Sequence, residues 1–235
     1  MGAIHLLVEI YLKTNKPRAA ISFLENRKRI IINSLNLSLK LAQLYIDDNK
    51  LLSAEQLIDL IKSKHGDVPI ITMLKAGIEK QRNRLDSALS ILKSKDFGKK
   101  PPIAYLLLRG EIELLSGDVE QAQKTANIIL NQFPDETDGL NFRVALDIRK
   151  NKHSEALKRV NTILAREPGN TMARFNRALI LKSQNELDLA ISELKSLINE
   201  KPQHTPSLLL LARSEAQRSN HSDALSWINR IFVYN

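Results

Sequence analysis

The chain has 235 residues, of which 43% are hydrophobic and 26% charged, a balance typical of a soluble, helix-rich protein. It contains no cysteine, which excludes disulfides and thiolate metal sites, and its five histidines never approach a metal-ligand spacing. The net charge of +9 is uneven, because residues 1–100 hold 18 Lys+Arg against 10 Asp+Glu, whereas residues 101–235 hold 17 against 16.

Alanine recurs along the chain at a constant spacing of 34 residues. A fixed period of this length predicts a repeat protein in which one supersecondary unit recurs. Taken in chain order, the lattice is Ala20, Ala54, Ala88, Ala122, Ala156, Ala190 and Ala224.

Three further positions share this period and predict two helices in each repeat. Small or β-branched residues, which let two helices approach closely, are Val8, Ala42, Ala76, Gly110, Val144, Ala178 and Ala212. Residues suited to a left-handed backbone at a helix end are Asn15, Asn49, Asn83, Gly117, Asn151, Asn185 and Ser219. Apolar residues that share the face of each alanine are Leu24, Ile58, Leu92, Ala126, Val160, Leu194 and Ile228.

These positions, with Pro134, Pro168 and Pro202 in register, resemble the tetratricopeptide-repeat family over the whole chain. The resemblance implies an all-α, right-handed superhelical solenoid of seven antiparallel helix hairpins, with a concave wall formed by the first helix of each hairpin. As one domain, 1–235, it would contain hairpins 1–34, 35–68, 69–102, 103–136, 137–170, 171–204 and 205–235.

The sequence departs from the family pattern at several places. Tyrosine at the third position after the small residue survives only as Tyr11 and Tyr45. Because Arg27 and Lys95 occupy a position that is usually apolar, we expect the first and third hairpins to close irregularly. The last helix has no polar helix after it to cover its apolar residues, so we expect the chain to be a segment of a longer array and to self-associate through this uncapped hairpin.

The family resemblance implies that ligands contact exposed positions of the first helices. Carried over to this sequence, the candidate groove residues are Leu39, Gln43, Met73, Leu107, Glu111, Asn141, Phe175, Leu209 and Arg213. The apolar members among them also suit packing between neighbouring first helices, and this alternative stays open.

A second candidate surface is basic and lies in the first three hairpins. It is an anionic docking edge formed by Arg27, Lys28, Arg29, Lys62, Lys64, Lys99 and Lys100. Cations at helix C-termini also complement the helix dipole, so the cluster has a purely structural interpretation as well.

The sequence therefore predicts a non-catalytic protein-interaction scaffold without cofactor or metal that binds a protein or peptide. One stretch of the sequence resembles bacterial tetratricopeptide proteins associated with exopolysaccharide export and PEP-CTERM sorting. Its pattern is a leucine-rich first helix followed by a small-residue second helix, formed by Leu106–Leu108, Gly110, Ser116-Gly117-Asp118 and Ala122. The alternative is RNA or anionic-surface binding through the basic N-terminal half, although the unvarying 34-residue period and the lack of interleaved aromatic residues disfavour nucleic acid. No run of about 18 apolar residues predicts a transmembrane segment. The compartment stays open between cytoplasm and, with a signal upstream of this segment, periplasm or outer membrane.

Overall fold

The computed structural model describes residues 2–14 and 16–234, with the side chain of Tyr234 left out. Within that part of the chain every regular element is an α-helix. The helices are α1 (Gly2–Lys13), α2 (Pro17–Glu25), α3 (Lys28–Ile31), α4 (Leu35–Asp47), α5 (Leu51–His65), α6 (Pro69–Gln81), α7 (Leu85–Lys93), α8 (Ile103–Leu115), α9 (Val119–Gln132), α10 (Thr137–Arg149), α11 (His153–Arg166), α12 (Thr171–Ser183), α13 (Leu187–Glu200), α14 (Thr205–Gln217) and α15 (His221–Tyr234).

The helices form two compact units, one ending at Thr125 and the other beginning at Ala126. In unit 1, α1 packs on α2, α4 on α5, and α6 on α7. In unit 2, α10 packs on α11, α12 on α13, and α14 on α15. By their positions on the 34-residue lattice, we call α1, α4, α6, α8, α10, α12 and α14 A helices, and α2, α5, α7, α9, α11, α13 and α15 B helices.

Successive pairs stack within each unit in the same way. The A helices α6, α8, α12 and α14 each contact both the preceding A helix and the preceding B helix. The prediction of an all-α helical repeat is therefore confirmed.

The 34-residue lattice forms the core of both units. The lattice alanines are buried, and those from Ala20 to Ala190 are fully inaccessible. The small residues of the A helices, from Val8 to Ala212, are also buried. Short side chains at both positions let the paired helices approach closely, as the sequence predicts. The apolar position four residues after each alanine is buried in every repeat except the last, where Ile228 is 37% exposed.

The predicted left-handed turn residues end the A helices. Backbone φ is positive at Asn49 (57°), Asn83 (59°), Gly117 (83°), Asn151 (57°), Asn185 (64°) and Ser219 (62°). At the first of these, the Lys50 amide donates to the carbonyl of Tyr45 over 2.7 Å, the bond that closes a Schellman motif. Asn15, the first member of the predicted set, lies outside the described residues.

The first B helix closes irregularly, as expected. Arg27 stands at the lattice position where aliphatic side chains are buried in other repeats, namely Ile61, Ile129, Ile163 and Leu197. Because a guanidinium cannot enter that core without a partner, α2 ends at Glu25 and the chain turns into the short helix α3. Ile31, one turn later, fills the core and is fully buried.

The third repeat shows a related departure. Its B helix, α7, ends at Lys93, and Lys95 reaches Asp67 at 3.4 Å instead of entering the core. Phe97 in the following loop packs on Tyr105 of α8, with ring centroids 4.2 Å apart. Aromatic packing therefore replaces the last turn of the B helix.

Candidate peptide-binding surfaces

In unit 2, exposed apolar side chains lie on the A helices α12 and α14. Phe175 and Leu209 occupy equivalent lattice positions, and Met172 and Arg213 lie one turn away from them on the same helix faces. Met172 is 49% and Leu209 is 40% exposed, and Arg213 is exposed as well. These three side chains form what we call the α12–α14 face.

Phe175 contributes less to this face than the sequence suggests. Its ring is half-buried, packs against the core of unit 2, and meets the ring of His204 edge-on at 5.7 Å. Nδ1 of His204 lies 2.7 Å from Oγ of Ser207, and burial lowers the pKa of His204. Most of the Phe175 side chain therefore packs between helices, which is the alternative that the sequence left open.

Asn141 also differs from expectation, because it is buried with only 6% of its surface exposed. Its side-chain amide donates to Oδ1 of Asn170 over 3.3 Å, and that oxygen accepts a 2.9 Å bond from the Ala173 amide at the start of α12. Asn141 therefore supports a helix N-cap rather than lining a surface.

In unit 1, the predicted apolar groove residues are half-buried. These are Leu39 on α4, Met73 on α6 and Leu107 on α8, and Leu39 packs against the core. On α6 itself, Ile70, one turn before Met73, is more exposed, at 41%. Sequence reasoning missed Ile70 and its counterpart Met172, which share one column of the 34-residue lattice.

Polar contacts cross between A helices in unit 1. Gln43 and Glu111 are exposed, as predicted. Gln43 donates to Asp47 over 2.8 Å, and Lys80 on α6 donates to Glu111 on α8 over 2.9 Å. Glu111 therefore already has a cation beside it.

The predicted basic edge divides into three groups. Lys62 lies 3.6 Å from Asp67, and Lys64 donates to Asn33. Lys99 and Lys100 are exposed in the loop that precedes α8. Arg27, Lys28 and Arg29 instead lie together where α2 gives way to α3.

A row of acids, three of them buried and Glu79 half-buried, occupies the column in which tetratricopeptide repeats carry tyrosine, and sequence reasoning missed it. In unit 1, Glu79 lies 3.0 Å from Arg82, and Glu113 lies 2.7 Å from Arg109 and accepts a bond from Thr125. The members of this column are Glu79, Glu113, Asp147 and Glu215, all spaced on the 34-residue lattice except for Leu181 at one step.

The acids of unit 2 are equally well paired. Asp147, 1% exposed, lies 3.2 Å from Arg143 and 2.9 Å from Arg159. Glu215 lies 2.9 Å from Lys195. Because each acid already meets a cation inside the fold, we assign this column to helix pairing rather than to ligand binding.

Arg174 forms a further buried network between α12 and α13. Its guanidinium donates to Glu193 (2.8 Å), Glu200 (2.7 Å) and the hydroxyl of Ser196 (2.8 Å). These bonds outweigh the desolvation of the side chain and raise the pKa of Arg174. The network holds the two helices together and uses all three guanidinium nitrogens.

A cleft of about 430 Å³ in unit 1 lies against α5, α6 and α7. Its charged groups are satisfied within the protein: Glu55 takes two bonds from Arg82, of 2.7 and 2.8 Å, and Asp59 lies 3.6 Å from Lys75. We therefore assign no ligand to this cleft.

The described residues contain no group of three metal-binding side chains. In the same part of the chain, each helix is too short or too polar to cross a bilayer.

Comparisons with known proteins agree with this repeat architecture. The tetratricopeptide-repeat profile matches residues 146–205. A solved tetratricopeptide-repeat protein from Parabacteroides merdae has a TM-score of 0.57 and 21% identity, covering 86% of this chain and 80% of that one. MamA from Desulfovibrio magneticus has a TM-score of 0.50 and 16% identity, covering 72% of this chain and 96% of that one.

Among curated proteins, sperm-associated antigen 1 of Rattus norvegicus is 27% identical over 150 residues, which is 64% of this chain. The match covers 16% of that relative, so this chain spans only a small part of its length. Lattice, helix pairing and profile match together define an all-α helical-repeat protein. Residues 146–205 thus carry the tetratricopeptide-repeat profile, and the rest of the described chain has the same all-α helical-repeat fold.

Proposed function

We propose that this chain is a non-catalytic scaffold that binds a peptide or protein segment on the α12–α14 face of unit 2. The observation that carries the proposal is the exposure of Met172 (49%) and Leu209 (40%) on neighbouring A helices. Burying two such side chains against a partner provides a favourable hydrophobic contribution to binding. Exposed Arg213 beside Leu209 suits a partner with an acidic group next to its apolar side chain.

The remaining groove positions have supporting roles in this proposal. Leu39, Met73 and Leu107 in unit 1 are half-buried and offer less apolar surface than Met172 and Leu209. Gln43 and Glu111 are exposed but engage Asp47 and Lys80. These predicted positions of unit 1 are therefore weaker candidates for contact with an apolar ligand.

The test uses the chain as bait for a displayed library of random peptides, and the probe is the most enriched peptide. We expect the double substitution Met172→Glu and Leu209→Glu to weaken that peptide about tenfold or more, because it places charge where apolar surface is buried. Leu189→Glu is the matched control, since Leu189 is 57% exposed on the B helix α13 of the same unit. Equal affinity in both variants, with unchanged circular dichroism, would contradict the proposal.

Two further proposals concern the biological role and the oligomeric state of the chain. A role in bacterial exopolysaccharide export or envelope sorting is supported by the sequence pattern around Gly110 and Ala122. Self-association is supported by the exposure of Leu225 (62%) and Phe232 (74%) on α15. Sedimentation velocity across a range of concentrations tests it, and a single monomeric boundary would contradict self-association.

A further inference from the structure

A surface that is both basic and apolar lies where α2 breaks and α3 begins. It surrounds an open depression of about 780 Å³ in unit 1. We call it the α3 face, and its residues are Glu25, Asn26, Arg27, Lys28, Arg29, Ile30, Ile32 and Leu60.

This face arises from the irregular closing of the first repeat. Because Arg27 cannot take the buried aliphatic position, the chain turns, and Ile31 fills the core instead. The turn carries Lys28, Arg29 and Ile30 to the surface, where all three are exposed. None of the later B helices is followed by such a short helix in the described part of the chain.

The cations of the α3 face lack acidic partners. Lys28 and Arg29 form no salt bridge within the described residues, and both are exposed. The one carboxylate in the lining, Glu25, accepts a 3.0 Å bond from the hydroxyl of Tyr45. Arg27 is fixed over the ring of Phe23, 4.0 Å from its centroid, and donates to the Phe23 carbonyl over 3.2 Å. Among the residues that line the face, three cations (Arg27, Lys28 and Arg29) stand against one carboxylate (Glu25), so the face carries net positive charge.

Two aliphatic side chains are exposed in the same lining. Ile30 is 53% and Leu60 is 42% exposed. The lattice equivalents of Ile30 are not aliphatic, namely Lys64, Gly98, Gln132, Arg166, Glu200 and Tyr234. Exposure of an aliphatic residue here is therefore specific to the first repeat.

The chemistry of the α3 face distinguishes between classes of partner. Nucleic acid binding to single strands uses exposed aromatic stacking platforms, whereas Phe23 beside this face is covered by Arg27 and the ring of Tyr45 is buried. A membrane-binding surface projects large apolar side chains into the bilayer, whereas Ile30 and Leu60 line a depression. A depression with an aliphatic lining and unpaired cations instead suits a peptide that carries acidic residues beside an aliphatic one.

We propose that the α3 face is a second docking surface, which binds an acidic segment of a partner protein through an aliphatic anchor. The carboxylates of the segment pair with Lys28 and Arg29, and its aliphatic side chain packs between Ile30 and Leu60. Arg27, held by Phe23, is already oriented and loses little conformational freedom on binding.

The probe is a labelled peptide of about 12 residues selected from a random displayed library, with counter-selection against the Lys28→Glu, Arg29→Glu variant of the full chain. Selection is expected to yield peptides with several Asp or Glu residues and at least one Leu, Ile or Val. We expect affinity to fall about tenfold or more in the counter-selected variant and to weaken as NaCl rises from about 50 to 500 mM. Ile30→Ser with Leu60→Ser is expected to weaken the same peptide.

Matched controls separate this surface from general charge and from the proposed function. Lys124→Glu changes an exposed lysine on α9, and Leu115→Ser changes an apolar residue that is 63% exposed on α8; both are expected to leave affinity unchanged. The double substitution Met172→Glu and Leu209→Glu is also expected to leave the affinity for this peptide unchanged. The proposal for the α3 face and the proposal for the α12–α14 face can therefore be refuted independently.

Two results would overturn the assignment. One is enrichment of peptides without acidic residues. The other is a selection that yields no peptide whose binding requires Lys28 and Arg29, together with binding of the chain to vesicles of about 30% phosphatidylserine that is lost in the Lys28→Glu, Arg29→Glu variant. That pair of results would make the face a membrane contact.

Discussion

Substitution of Asp147 by alanine tests whether the buried acids hold the helix pairs together. The Asp147 carboxylate is 1% exposed and accepts bonds from Arg143 (3.2 Å) on its own helix and Arg159 (2.9 Å) on α11. Removing it leaves two guanidinium groups without their anion.

The expected loss follows from how well water can replace the carboxylate. The side chain of Arg143 is 16% exposed and keeps a 3.3 Å bond to Asn127, so its lost charged bond costs about 2–3 kcal/mol. The side chain of Arg159 is 38% exposed, so water screens its loss, which adds about 0.5 kcal/mol. We therefore expect Asp147→Ala to lower the free energy of unfolding by about 2–4 kcal/mol.

Urea denaturation followed by fluorescence measures this loss. Trp227 is the only tryptophan and lies in unit 2, so its emission reports on the unit that contains Asp147. The control is Asp138→Ala, which removes an exposed acid from the first turn of α10 and is expected to cost about 0.3–1 kcal/mol. Equal losses in the two variants would refute a structural role for the buried acid.

Two further predictions concern the left-handed turn at Ser219 and the half-buried His204. Because Ser219 has φ +62°, where glycine is less strained, Ser219→Gly is expected to raise the free energy of unfolding by about 0.5–1 kcal/mol. The control Ser226→Gly lies within α15 and is expected to lower the free energy of unfolding by about as much. If thermal unfolding showed both variants to be more stable than the parent, or both less stable, this reasoning would be contradicted. Burial lowers the pKa of His204 in the folded chain, so as pH falls the unfolded chain binds the proton before the folded chain does. The stability that neutral His204 provides is therefore present above its ordinary pKa of about 6.5 and is lost as pH falls below that value. We expect His204→Asn to reduce the drop in urea midpoint between about pH 7.5 and 5.5, with exposed His221→Asn as the control, and an unchanged drop would count against this explanation.

The sequence predicts the positions that the backbone itself constrains. Ala54 and Ala156 are invariably small because paired helices touch there, and Asn49 and Asn185 end helices because their backbone is left-handed. Such constraints repeat in every hairpin and so appear as a period in the sequence.

Surface exposure is less predictable, because it depends on how neighbouring helices cover one another. Phe175 and Met172 lie one turn apart on the same helix, yet the phenylalanine is largely covered and the methionine is half exposed. A side chain at a ligand-binding position of the family can therefore belong to the core in this chain.

The buried acids could have been recognised from the sequence. Glu79, Glu113 and Asp147 repeat at 34-residue intervals, and Arg109 and Arg143 repeat four residues before the last two. An acid and an arginine one helical turn apart, both on the lattice, predict a recurring ion pair.

Nuclear magnetic resonance of the methionine methyl groups tests peptide binding on the α12–α14 face most directly. The chain contains three methionines, Met1, Met73 and Met172, so methyl labelling gives a spectrum that Met172→Leu assigns. We expect the Met172 methyl resonance to shift progressively as the library-selected peptide is added, because that methyl lies on the exposed surface that the peptide covers. A Met172 resonance that stays in place when the peptide is saturating would contradict the proposed binding surface.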